Sequence, residues 1–225
     1  MSGIVIAIDG PAGTGKSTVA REVARRLGLA YFDTGATYRV ATLACLREGV
    51  DFAATSDVAA MVATMNVSLM LNPANPHVEL DGEDVSALIR TDTVALSVSK
   101  VATNLEARPI LQDLQRDVIA TERVGGYSSG AGVCAEGRDV TTVIAPEAEV
   151  RVLLTADEEV RVARRAGEGA DAATVREAVL GRDKADSAVV SFHEAADGVV
   201  TIDTTDLTID EAVQAVIELA QAQQQ

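Results

Sequence analysis

A chain of 225 residues with a formal net charge of −15, 3% aromatic residues and no tryptophan can bury a sizeable core as one α/β domain with embellishments, or as two domains at most. Val, Leu, Ile and Ala must build that core. The charge argues against non-specific binding to nucleic acid or to an anionic membrane, no apolar stretch approaches the ~18 residues of a membrane span, and two cysteines, Cys45 and Cys134, make neither a disulfide framework nor a metal pair.

No basic region precedes the first apolar run, so it does not read as a signal peptide, and a cytoplasmic protein is expected. That run, Ile4 to Ile8, reads as a buried strand leading into Gly10-Pro11-Ala12-Gly13-Thr14-Gly15-Lys16-Ser17-Thr18, the G-x-x-x-x-G-K-[ST] pattern of a phosphate-binding loop. The glycines let successive N–H groups turn inward as an anion nest, and the next helix aims its N-terminal dipole at the same point. Lys16 adds a point charge for the β/γ oxygens of a triphosphate, and the Ser17 hydroxyl a ligand for Mg²⁺. A glycine-rich turn that binds nothing is the structural alternative; the strand before and the helix after weigh against it.

Val19, Val23 and Leu27 line one face of that helix, which Gly28 stops. Leu29 to Phe32 is a second strand delivering Asp33-Thr34-Gly35 to the ligand end of the sheet. Helices follow from about Ala36 to Glu48, carrying Tyr38 and Arg39, and over Ser56 to Met65. Val67 to Leu71 and His77 to Leu80 form a hairpin about Asn72-Pro73-Ala74-Asn75-Pro76, closed by Asp81 to Asp84. After Arg90, helices are expected over Thr91 to Asn104 and over Glu106 to Arg123, the second carrying Arg108 and Arg116, with Arg116 and Arg123 on a solvated face. Gly125 to Gly130 reads as a flexible link, and Val133-Cys134-Ala135 returns to the sheet, ending in Glu136-Gly137-Arg138-Asp139 at the ligand side.

Glu149 to Leu154 is the next strand, and Thr155 with Glu158 makes a capping box for a helix with Arg161, Arg164 and Arg165 on one face. Gly167-Glu168-Gly169 breaks that helix, and another runs to about Asp183. Val199 to Ile202 is the last strand, and Thr208 with Glu211 caps a final helix reaching Ala220. Strand-helix alternation predicts a parallel α/β sheet covered by helices on both faces. Two excursions interrupt it, so the expected division is a phosphate-loop core (1–36, 123–156 and 191–225), an insertion with a β-hairpin (37–122) and a short helical lid (157–190).

In so acidic a chain the placement of the cations carries information, and sixteen arginines face only three lysines, Lys16, Lys100 and Lys184. Thr34, Arg39, Arg90, Arg108, Arg138-Asp139 and the arginines of the second excursion would surround a second, smaller anion facing the triphosphate, as phosphoryl transfer requires. Arg161 and Arg164 pairing with Glu158 and Glu168, and Arg138-Asp139 as a structural ion pair, are the plainer readings. His77 and His193 receive no role.

The ordered set IDGPAGTGKST (8–18), FDTGATYR (32–39), LDGEDVSALIRT (80–91), AEGRDVTTVI (135–144), GRDKADS (181–187) and VTIDTTDLTIDE (200–211) resembles the bacterial-type cytidylate kinases of the nucleoside monophosphate kinase group. The resemblance spans nearly the whole chain. It implies γ-phosphoryl transfer from ATP to CMP or dCMP with Mg²⁺; a monomer, with neither nucleic acid nor membrane as partner, is expected. By matching position it implies that Gly10 to Thr18 hold ATP, that Lys16, Arg138 and Arg182 are catalytic, and that Thr34, Tyr38, Arg39, Arg108, Arg138, Asp139, Arg182 and Asp186 grip the monophosphate and its nucleoside. The chain departs from the family where Thr141 replaces a usual glycine, and where Ala188 to Phe192 lack the usual lid arginine and proline. Another small-molecule kinase, or an ATP-binding regulatory module without catalysis, is the alternative those departures motivate.

Overall fold

The computed structural model describes residues 2–166, 176–177, 180–181, 183 and 194–223. Strands β1 (Ile4–Asp9), β2 (Ala30–Asp33), β6 (Gly132–Gly137), β7 (Val150–Thr155) and β8 (Val200–Asp203) form one parallel sheet in the order β2-β6-β1-β7-β8. Alternation along β1 shows why both faces are covered. Ile6 and Ile8 pack with Val19 and Val23 of α1 (Lys16–Leu27) and with Val213, Val216 and Ile217 of α7 (Ile209–Ala222), whereas Val5 and Ala7 pack with Phe32 and with Ile119 of α5 (Ala107–Val124). Side chains of period 2 in a strand buried on both sides are apolar on both faces, which is how Ile4 to Ile8 reads before Asp9 ends the strand.

Between β2 and β6 the chain leaves the sheet. Helices α2 (Thr34–Arg47), α3 (Thr55–Thr64) and α4 (Asp92–Ala102) and a small antiparallel sheet of β3 (Val67–Met70), β4 (His77–Leu80) and β5 (Glu83–Asp84) precede α5. Helix α2 is wedged between two apolar clusters. Ala36, Val40 and Leu43 meet Val78, Leu80 and Ile89, while Tyr38, Ala41 and Cys45 meet Val58, Val98 and Leu111. A helix apolar on nearly every side is a buried helix, and its burial fixes Tyr38 and Arg39 in space. The small sheet is tied to the core where Tyr31 N donates to Leu71 O (2.8 Å) and Arg21 to Pro73 O (2.5 Å).

Several local expectations are corrected. Glu83-Asp84 adds a third strand to the hairpin rather than merely closing it. Residues 125 to 130 form a closed turn, because Tyr127 N and Ser128 N donate to the buried Glu122 carboxylate (2.8 and 2.9 Å) and Gly130 N to Gly125 O. Thr155 ends β7 and its carbonyl accepts from Thr204 N, so α6 (Glu158–Ala166) starts without the Thr155 capping box. The Thr208-Glu211 box, by contrast, is present in full. Arg123 is a clamp, with both outer nitrogens on Glu149. Arg182, Lys184, Asp186, Ala188 to Phe192, His193 and the Gly167 to Gly169 break lie outside the described residues.

Candidate active site

The turn from β1 into α1 is shaped by glycine. Gly10 (φ +149°) abuts the Leu154 carbonyl and Gly13 (φ +83°) stands where a Cβ would meet Arg161 O at 2.6 Å, so neither position admits a side chain. Within the turn Lys16 Nζ donates to Pro11 O (2.8 Å) and Thr14 Oγ1 to the same oxygen (3.0 Å). Thr204, after β8, locks the turn from outside, donating from Oγ1 to Thr14 O and accepting from Arg164.

Parallel strands bring three motifs to one end of the sheet. β6 lies between β1 and β2, with Glu136 opposite both Ile8 and Asp33. Ser17 Oγ donates to Glu136 Oε1 at 2.6 Å and Thr34 Oγ1 to Glu136 O at 2.8 Å. Burial pushes the Glu136 carboxyl above the usual range, and Asp33 adds to this. Lys16, Ser17 and Arg39 oppose the shift, which places those groups around one carboxylate. Sequence reasoning did not assign Glu136 a role. The available signal was an acid ending the strand beside the glycine-rich turn, and it became specific only once strand order was known.

One residue further, Arg138 donates to Asp183 Oδ1 (2.8 Å), while Arg161 donates to Asp183 Oδ2 (2.5 Å) and to Ala12 O (3.0 Å). Asp183 also accepts from Ala12 N at 3.1 Å. Burial alone would raise the Asp183 pKa, but the two guanidinium groups and the loop amide hold it below the ordinary value. Arg161 therefore serves the loop, not a shared arginine face with Arg164, which turns to Thr204, and Glu158 pairs instead with Arg176. Asp183 and Arg161 were missed as a linked pair because 22 residues separate them.

A further cluster is built where α5 meets the end of β6. Arg108 donates to Asp139 Oδ2 (2.8 Å) and to Ala102 O, and its guanidinium lies 5.8 Å from the Tyr38 ring centre. Burial raises the Asp139 pKa, opposed by Arg108 and Gln112. Asp33 caps α2 by accepting from Ala36 N, with the exposed Arg90 at 3.7 Å. Of the residues expected from sequence, Lys16, Ser17, Thr34, Tyr38, Arg39, Arg108, Arg138 and Asp139 thus share this end of the sheet.

Asp9 joins the two halves, accepting from Val140 N (3.0 Å), Thr141 N (2.7 Å) and Thr141 Oγ1 (2.6 Å). Thr141 thereby gives this carboxylate a donor that a glycine there lacks. Asp9→Asn turns one acceptor into a donor facing donors, with an expected loss of about 1–3 kcal/mol in urea unfolding. Burial raises the Asp9 pKa in spite of its three donors. A raised carboxyl pKa contributes stability below the unfolded value that is lost as pH rises through the folded one. The stability gap between wild type and Asp9→Asn is therefore expected to narrow from pH 4 towards neutrality.

Comparison with known proteins gives the family. The family model for cytidylate kinase matches residues 6–222. The cytidylate kinase of Streptomyces griseus is 40% identical over 98% of this chain and 94% of its own, and that of Nocardia farcinica 44% over 93% and 90%. Among solved structures, an uncharacterised Eubacterium ventriosum protein (TM-score 0.52, 13% identity, 97% of this chain and 99% of its own) and a Thermus thermophilus protein (TM-score 0.51, 19% identity, 99% and 98%) share the fold. With its glycine-rich turn, parallel sheet and facing arginines accompanied by such relatives over nearly its whole length, the chain belongs to the cytidylate kinase family.

Proposed function

We propose that the chain transfers the γ-phosphoryl group of ATP to CMP or dCMP, with Lys16, Arg138 and Arg182 as its catalytic cations. Family membership gives the class, an ATP-dependent nucleoside monophosphate kinase. The observation that carries the site assignment is the gathering of three separate motifs at Glu136: Ser17 donates to its carboxylate, which Lys16 and Arg39 also act on, and Thr34 donates to its main-chain carbonyl.

ATP would lie along Gly10 to Thr18, its phosphates on the loop amides and Lys16. The pair Ser17 Oγ and Glu136 Oε1 is an all-oxygen donor set suited to a hard cation, so these two residues would hold Mg²⁺. Mg²⁺ held there would supply charge neutralisation for the donor's terminal phosphates. Opposite the loop, Thr34, Tyr38, Arg39 and Arg138 would take the monophosphate, with Arg182 and Asp186 completing the grip. No general base is needed, because the acceptor phosphate is already anionic; positioning and charge neutralisation carry the reaction.

Arg108 and Asp139 set a donor beside an acceptor. Cytosine presents acceptors beside an exocyclic amine, which Asp139 can accept; uracil would turn a keto oxygen against the carboxylate. In this reading residues 37–122 form the monophosphate-binding insertion and 157–190 the lid that excludes water. No described helix is long and apolar enough to cross a membrane, and the chain's negative charge fits a cytoplasmic monomer acting on small nucleotides, not on nucleic acid. A coupled ADP-release assay with CMP, dCMP, UMP and AMP tests the assignment. Turnover confined to the cytidine nucleotides is expected; turnover with none would favour a non-catalytic ATP-binding module.

A further inference from the structure

Gln115 on α5 is a fully buried polar side chain that none of the roles above uses. Its Nε2 donates to Thr37 Oγ1 at 2.7 Å and to Thr34 O at 3.3 Å, while its Oε1 has no hydrogen-bond partner among the described residues. A buried acceptor without a donor costs stability, and methionine, of similar volume, would avoid that cost. A purely packing role therefore does not account for an amide here, whereas its contacts do.

Residues 108, 112 and 115 follow one another at helical spacing along one stripe of α5. Arg108 and Gln112 serve Asp139, and Gln115 serves the first turn of α2. Thr37 Oγ1 in turn donates to Thr34 O (2.7 Å), and Thr34 Oγ1 to Glu136 O. A continuous hydrogen-bonded path thus runs from α5 through α2 to the end of β6, where Ser17 also attaches.

We propose that Gln115 is a positioning residue for the acceptor nucleotide, locking the first turn of α2 to α5 so that Thr34, Tyr38 and Arg39 stay in register with Arg108 and Asp139. This rests on the acceptor-site assignment made above. The amide touches no substrate; it acts through the helix that does. Small misplacements of charged groups at a transferring phosphate are costly, so a loosened α2 weakens acceptor binding while the separately anchored glycine-rich turn keeps its hold on ATP.

The test is steady-state kinetics of Gln115→Met with CMP and ATP varied separately, beside its thermal midpoint. The expected result is a KM for CMP raised about tenfold, a KM for ATP within about twofold, and a midpoint equal to or above that of wild type. An unchanged KM for CMP, or equal rises in both, overturns the proposal. Should that variant fail to fold, Thr37→Val removes the hydroxyl that receives the amide and is expected to raise the KM for CMP about threefold, with the same split between substrates. Arg39→Ala, run alongside, separates the two readings. If it raises the KM for CMP and Gln115→Met does not, the positioning role alone fails; if neither raises it, the acceptor-site assignment fails.

Discussion

Lys16→Met is expected to lower the turnover of CMP-dependent ADP release by about 10³-fold at saturating substrates, the scale that loss of a cation stabilising a transferring phosphoryl group carries. The fold should survive the change. Lys16 Nζ holds the Pro11 carbonyl in the loop, a charge-assisted hydrogen bond of about 1.5–3 kcal/mol. The glycines, the Thr204 contact and the burial of Val19 and Val23 maintain the turn and its helix without the charge. Methionine keeps the length and apolar stem of the lysine, so lost turnover in a variant that still unfolds cooperatively isolates the ammonium group. Turnover within tenfold of wild type would remove Lys16 from the catalytic set.

Arg138→Ala is expected to reduce kcat/KM for CMP about 100-fold while leaving the KM for ATP within about threefold, because charge-assisted hydrogen bonds are worth about 1.5–3 kcal/mol each. Stability should fall only modestly. Asp183 keeps Arg161 and the Ala12 amide after Arg138 is gone, so no buried carboxylate is left without a partner, the situation that makes broken buried pairs severe. Separate titrations of the two substrates decide the matter. Equal effects on CMP and ATP would show that Arg138 serves the donor side of the site.

These two expectations draw on different levels of information. Lys16 was readable without any fold, since a strand, four loop residues between glycines and a following helix are all local in sequence. Arg138 was readable as a charged residue at the ligand end of a strand, but its neighbours were not. Asp183 reaches it from 45 residues away, and the same carboxylate ties Arg161 to the loop. The helical spacing of Arg161, Arg164 and Arg165 suggested one shared face, yet the loop and Thr204 draw the first two guanidinium groups to different partners. The misplaced Thr155 cap has the same origin: that residue is held by the neighbouring strand connection through Thr204, a partner that no local pattern contains. Gly125 to Gly130 looked flexible from composition, but buried Glu122 supplies an acceptor for the amides that those glycines expose.

Short-range periodicity and turn chemistry by themselves determined the parallel α/β plan, the glycine-rich phosphate loop, the hairpin within the first excursion and the Thr208-Glu211 cap, because each depends on residues within a few positions of one another. Tertiary structure alone decided that Glu136 lies between Ser17 and Thr34, that Asp9 clamps Thr141, that Asp183 bridges two arginines and that Gln115 braces α2. Those contacts follow from strand order and helix docking, and hydrogen bonds between groups more than a hundred residues apart, such as Ser17 to Glu136, leave no periodic trace in a chain.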